Sequence, residues 1–287
     1  MDGLGAQPPQ AQGRSRFGAY GLALRGLDAA LHLLVPADPA WPEFTLTARI
    51  AEPPDVPERL GAERMELRLR TGGRIALDLV ARTVEYVVPR KLTPDELAHP
   101  FLAPAAAAIA RSLGRESLHA AAFAVDGAVW ALVGERGSGK SSTLAALARQ
   151  GAGMVCDDML VVEGETPFAG PRALDLRREP AEHLGVGEPV GVVGARERWR
   201  WLVPSLDGPL KLAGWIFLRW GESLDLRSLG SVDRLHALAR HRGFRLPPSN
   251  PGLLVELAAL PTFELSRPQD WSSLPPTCDR LLALAER

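Results

Sequence analysis

Apolar and polar residues alternate through MELRLRTGGRIALDLVARTVEYVV, residues 65–88, on both sides of Gly72-Gly73. A period of two broken by a Gly pair predicts a β-hairpin. FGAYGLALRGL and FTLTARI read as further strands, and the Pro-rich breaks at 36–42 and 53–57 separate them. Residues 17–92 are therefore expected to form a small β-rich domain. The segment before them, MDGLGAQPPQAQGRSR (1–16), is rich in Gly, Pro and Gln, has no apolar core of a secretion signal, and reads as a flexible leader.

The pattern changes at Thr93. TPDELAHPFLAPAAAAIARSLG predicts a short helix start followed by an Ala-rich helix near 104–112. Thr93 and Glu96 have the spacing of a capping box, and Pro94 suits a first helical turn. From 117 the order is strand, strand, loop, helix: SLHAAAFAVDG and AVWALVG around Asp126-Gly127, a Gly-rich loop, then SSTLAALARQ. MVCDDMLVV reads as one further strand. Residues 164–210, dense in Pro and Gly, read as loop-rich. KLAGWIFLRW and SLDLRSL read as strands, SVDRLHALARHRG as a helix ended by Gly243, and NPGLLVELAALPTFELSRP as helix then strand. PTCDRLLALAER closes the chain as a helix. The fold class expected for 93–287 is α/β, with the Gly-rich loop at its centre.

That loop, GERGSGKS at 134–141, fits G-x-x-x-x-G-K-[ST]. Gly134, Gly137 and Gly139 free the backbone to aim its amides at phosphate oxygens, and the helix that follows adds its positive end. Lys140 is expected on the β- and γ-phosphates. Ser141 is expected on Mg²⁺, with Ser138 and Ser142 beside the nucleotide. Asp157 and Asp158 follow shortly after. On one strand they point to opposite faces, so one suits Mg²⁺ and the other a proton from an attacking hydroxyl. The residues alone leave open which does which. GARERWRWLVPS (194–205) alternates Arg196, Arg198 and Arg200 with Trp199 and Trp201. This pattern suits either a clamp on phosphate or an acidic peptide, or a plain sheet edge. Arg172 and Arg177 are further candidates.

Composition narrows the classes. The chain has 287 residues, 46% apolar and 23% charged, with a net charge of -1. Near-neutrality argues against a nucleic-acid partner. Two cysteines, Cys156 and Cys278, make neither a disulfide framework nor a zinc spacing. With no apolar run of about 18 residues, the expectation is a cytoplasmic protein without a membrane partner. The only asparagine is Asn250, so no Asn-Lys-x-Asp guanine motif exists, and no LSGGQ-like run marks a transporter ATPase.

LHAAAFAVDGAVWALVGERGSGKSSTLAALARQGAGMVCDD resembles the core of HPr kinase/phosphorylase in the order and spacing of its histidine, phosphate loop and Asp pair. The resemblance covers roughly 117–162. It implies a P-loop nucleotide-binding core of HPr-kinase type and an ATP- and Mg²⁺-dependent kinase acting on a serine hydroxyl. It further implies Lys140 and Ser141 at the nucleotide and metal, Asp157 as the base, Asp158 as a metal-side carboxylate, and His119 near the phosphates. Ala120 stands where the family has Gly after the histidine. RALDLRREPAEHLGVG stands in place of the Glu-Ile-Arg-Gly-Leu-Gly signature, so neither phosphorylase activity nor an HPr partner is carried over. FGAYGLALRG, the β-rich half and LPTFELSRP look more like the HPr-kinase-like proteins of peptide natural-product pathways, whose lasso-peptide members phosphorylate a serine of a precursor peptide. The expected partner is thus a peptide or protein bearing an acceptor serine. A small-metabolite kinase and a nucleotide-dependent peptide-binding module without transfer remain the alternatives.

Overall fold

The structure is a computed structural model that describes residues 16–53, 57–69, 72–206, 208–244 and 246–286. The expected leader lies outside the described residues, except for Arg16.

The first half builds an eight-stranded mixed sheet. Its order is Val35–Pro36, Phe17–Ala19, Leu22–Arg25, Glu43–Ile50, Thr83–Val88, Arg74–Asp78, Arg64–Arg68, Arg59–Leu60. The hairpin read from alternation is present: Arg64–Arg68 pairs antiparallel with Arg74–Asp78, and that strand pairs with Thr83–Val88. FGAYGLALRGL is not one strand but two short ones that turn at Tyr20 and Gly21, both at positive φ. The capping box is complete, with Thr93 Oγ1 accepting from Glu96 N and Glu96 Oε2 accepting from Thr93 N. The helix does not run straight on. His99 has φ -154 and ψ 121, and only after it does Leu102–Ser112 continue as an α-helix. That Ala-rich helix packs in one core with the sheet's Ile75, Val84 and Tyr86 and with Met159 and Val161.

The second half is organised by a six-stranded sheet in the order Gly153–Cys156, Ala120–Val125, Ala128–Val133, Lys211–Trp220, Thr262–Arg267, Asp225–Ser228. Ala128–Val133, Lys211–Trp220 and Thr262–Arg267 are parallel neighbours. The strands Ala120–Val125, Ala128–Val133 and Lys211–Trp220 are largely buried on both faces, which is why they read as continuous apolar runs rather than alternating ones. On one face Phe123, Trp130 and Leu132 pack against Leu144, Leu147 and Leu281 of the helices Lys140–Arg149 and Leu274–Ala285. On the other, Ala122, Val129 and Trp215 pack against Leu238, Leu253 and Leu257 of Ser231–Arg240 and Pro251–Ala259.

Two expectations are corrected. Residues 164–210 are not mainly loop. They form the strands Thr166–Phe168, Ala173–Leu176, Glu188–Val193 and Arg196–Leu202 and the helix Arg178–Leu184. Their glycines mark the turns between short elements: Gly185, at φ 63, ends the helix, and Gly194, at φ 67, turns the last hairpin. MVCDDMLVV is also not one strand. Gly153–Cys156 pairs with the six-stranded sheet, and Leu160–Glu163 pairs with Glu116–Leu118 in a separate sheet. The chain switches sheets at the Asp pair, through Asp158 at φ 69. Asp tolerates this left-handed conformation better than most residues. The two carboxylates therefore diverge at a turn, not by strand alternation.

Candidate active site

Parallel strands in an open α/β sheet leave a crevice beyond their carboxyl ends. The Gly-rich loop sits there, between the end of Ala128–Val133 and the start of Lys140–Arg149. Gly139 caps the helix at φ 87, and a Cβ on it would lie 2.4 Å from Nη2 of Arg267. A Cβ on Gly134 would lie 2.7 Å from the Leu218 carbonyl oxygen. Close approach to backbone requires Gly134, and the left-handed φ requires Gly139. The loop is braced by residues at the ends of the two neighbouring parallel strands. Trp220 Nε1 donates to the Gly137 carbonyl at 3.0 Å, and Arg267 Nη2 donates to Thr143 Oγ1 at 2.8 Å while its guanidinium stacks over the Trp220 ring.

Lys140 is 7% exposed, and its Nζ folds back onto the carbonyls of Gly134 (2.6 Å) and Glu135 (3.2 Å). Burial lowers its pKa, and the nearby aspartates oppose that shift. Ser141 Oγ donates to Asp157 Oδ1 at 2.9 Å. Asp157 is 3% exposed, and burial followed by the charge of Asp158 pushes its carboxyl well above the usual range. His119 Nδ1 lies 2.9 Å from the Asp158 carbonyl oxygen, which can only accept, so Nδ1 carries the proton. Burial and then Lys140 keep His119 below its ordinary pKa, hence neutral at pH 7.

These groups line one cleft of about 1250 Å³. This exceeds the roughly 300–1,000 Å³ usual for a small-ligand site, so there is room for a nucleotide and a second reactant. Of the sequence candidates, Gly134, Gly137, Gly139, Lys140, Ser141, Ser142, His119 and Asp158 all face it, with Asp157 just beneath. Ser138 is buried in the loop with no hydrogen-bond partner for its Oγ. Arg177, Arg196 and Arg198 also line the cleft, and Arg172 does not, its Nε being bound to the Val203 carbonyl. The Arg-Trp alternation is a real strand, but its faces do different work. Arg200 is buried in a two-bond ion pair with Asp175 (2.7 and 2.8 Å), and Trp199 and Trp201 pack on the core.

Among the cleft residues that the sequence reading did not mark are His99, Trp220 and Arg267. Trp220 and Arg267 end the strands Lys211–Trp220 and Thr262–Arg267, and the crevice rule for parallel strands would have pointed to them. His99 had no such signal. It is 2% exposed, burial holds its pKa below the ordinary value, and one of its ring nitrogens and a carboxylate oxygen from each of Asp157 and Asp158 lie within 4.8 Å of one another.

No family model matches the chain, and no curated protein matches it. Among solved structures it is similar to the Hpr(Ser) kinase/phosphatase from Coxiella burnetii, at 14% identity and a TM-score of 0.30, over 59% of this chain and 97% of that one. A likeness of that size carries no functional weight, and the chemistry is read from the site itself. No helix among the described residues is long and apolar enough to cross a membrane.

Proposed function

We propose that this protein is a Mg²⁺-dependent kinase that transfers the γ-phosphoryl group of ATP to a serine hydroxyl of a peptide or protein, a ribosomal peptide precursor being the favoured acceptor. The observation that carries this reading is the hydrogen bond from Ser141, the residue after the loop lysine, to the buried Asp157. It joins a phosphate-binding loop to a carboxylate pair in a cleft large enough for two reactants. The choice of serine and of a peptide rests on the sequence resemblance.

The residues fit the ligands. Three glycines at positive φ, the free Ser138 hydroxyl and Lys140 suit phosphate oxygens. The Ser141 hydroxyl and the Asp158 carboxylate are hard oxygen donors suited to Mg²⁺. When bound, Mg²⁺ neutralises charge on the phosphate oxygens. Lys140 leaves its carbonyl partners for the β- and γ-phosphates, and Arg267 holds the helix start against Trp220. Asp157 takes the acceptor proton as the serine oxygen bonds to the γ-phosphorus and the bond to the β,γ-bridging oxygen breaks, leaving phosphoserine and ADP. In its ionised form the Asp157 carboxylate, positioned by the Ser141 hydroxyl, has a free lone pair for that proton. His119 orients Asp158 through its backbone carbonyl. Arg177 and Arg198, at the cleft wall, favour an acceptor segment carrying acidic residues.

One observation favours a second assignment within the same chemistry. A carboxylate that accepts from the metal-ligating hydroxyl is well sited to hold the metal, which would make Asp157 the metal-side group and Asp158 the base. The two assignments separate in single Asn variants.

The test is acceptor-dependent ADP release, measured with ATP, Mg²⁺ and a panel of serine peptides with acidic or basic flanks. Release that rises with an acidic serine peptide and is absent with its Ser→Ala version supports the proposal. ADP release indifferent to every peptide, with none phosphorylated, overturns it.

A further inference from the structure

We propose that His99, Asp157 and Asp158 form a binding site for one divalent transition-series cation such as Zn²⁺, Co²⁺ or Mn²⁺. The site does not depend on the kinase reading, because it is defined by donor atoms alone.

The argument starts from a break in a helix. His99, which precedes Pro100, takes extended backbone angles between two helical segments and lines the cleft. The Arg200 Nη2 donates to the His99 carbonyl at 3.0 Å, which anchors the break. A buried polar atom normally has a hydrogen-bond partner, yet His99 Nε2 has none. Its nearest charge is Asp175 Oδ2 at 3.6 Å, beyond hydrogen-bond reach, and both oxygens of Asp175 already accept from Arg200. A ring nitrogen of His99 and one carboxylate oxygen from each of Asp157 and Asp158 lie within 4.8 Å of one another, and together they make a ligand set.

Donors about 2.1 Å from one tetrahedral ion lie about 3.4 Å apart. The three donor atoms here lie within 4.8 Å of one another, so side-chain shifts of up to roughly 1 Å bring them onto one ion. The donor class discriminates between metals. Mg²⁺ takes oxygen donors and dehydrates reluctantly, whereas one imidazole nitrogen with two carboxylates suits Zn²⁺, Co²⁺ or Mn²⁺. Occupying this site engages both carboxylates of the Asp pair. If the kinase reading holds, the bound cation therefore opposes phosphotransfer whichever aspartate is the base.

Co²⁺ reports the site directly, through visible absorption and titration calorimetry on the full chain without nucleotide. One Co²⁺ per chain is expected, with affinity at least about tenfold weaker in His99→Gln, since even groups that merely support a metal ligand are worth that much. Weak Mg²⁺ binding should be unchanged by the same substitution. Equal Co²⁺ affinity in both proteins, or no binding by the wild type, overturns the site. Should His99→Gln fail to fold by circular dichroism, pulsed electron paramagnetic resonance on wild-type protein with one Mn²⁺ gives the same decision. Imidazole nitrogen coupling that persists in His119→Asn supports His99 as ligand, and its absence overturns it. Loss of kinase activity alone bears on neither outcome.

Discussion

Ser141 Oγ donates a 2.9 Å hydrogen bond to Asp157 Oδ1, tying the start of the loop helix to a carboxylate just past the strand Gly153–Cys156. The contact forms because Gly153–Cys156 and Ala128–Val133 flank the same strand, Ala120–Val125, so the carboxyl end of the first lies beside the loop that leaves the second. It also divides the expected effects of mutation at the two aspartates.

With Asp157 as base, Asp157→Asn should lower kcat by about 10²–10⁴-fold while leaving ATP affinity nearly intact. Asp158→Asn should instead raise the Mg²⁺ concentration needed for half-maximal activity. Rapid-quench kinetics across a Mg²⁺ titration separates the two, and the opposite pattern exchanges the roles.

Trp220 is a built-in reporter, because its indole donates to the Gly137 carbonyl of the loop. Addition of ATP should change tryptophan fluorescence, and Trp220→Phe should remove most of that change. Lys140→Met should weaken ATP binding at least about tenfold, equivalent to about 1.4 kcal/mol. Titration of fluorescence against nucleotide checks all three.

Arg200 and Arg198 are two residues apart on one strand and should behave differently. Arg200 and Asp175 are a buried pair, with side chains 6% and 4% exposed. Removing one partner leaves a buried charge unpaired, so Arg200→Ala should cost about 3–5 kcal/mol of stability. Arg198→Ala should stay within about 0.5 kcal/mol and raise KM for an acidic acceptor. Chemical denaturation and acceptor kinetics measure each.

Glu96 gives a pH dependence with a definite sign. The Arg90 hydrogen bonds lower its pKa first, and the capping bond from Thr93 N adds to this. A lowered folded-state pKa stabilises above the unfolded value and loses that stability as pH falls through the folded one. Glu96→Gln should therefore cost about 1 kcal/mol at pH 7, and the gap should narrow progressively as pH falls below about 4.3. Urea midpoints at pH 7 and pH 3 make the comparison.

Much of this was legible in the sequence, where local patterns suffice. The Gly-rich loop, the Asp126-Gly127 turn, the Thr93 box and the paired strands around them are specified by neighbours in the chain. The switch of sheets at Asp158 was not legible, because MVC and MLVV are apolar on both sides and the turn is made by one residue at positive φ. Trp220, Arg267 and His99 reach the cleft only through long-range packing. Arg200 shows the limit of periodicity: alternation gave its face, and only the Asp175 opposite explains why it is buried.

The most direct measurement is the mass of a serine peptide after incubation with the protein, ATP and Mg²⁺, run beside Lys140→Met. The expected result is the gain of one phosphate on serine with wild type and none with the variant. Tight ATP binding with no phosphate on any hydroxyl acceptor, peptide or metabolite, would contradict the kinase reading and leave a nucleotide-dependent binding module.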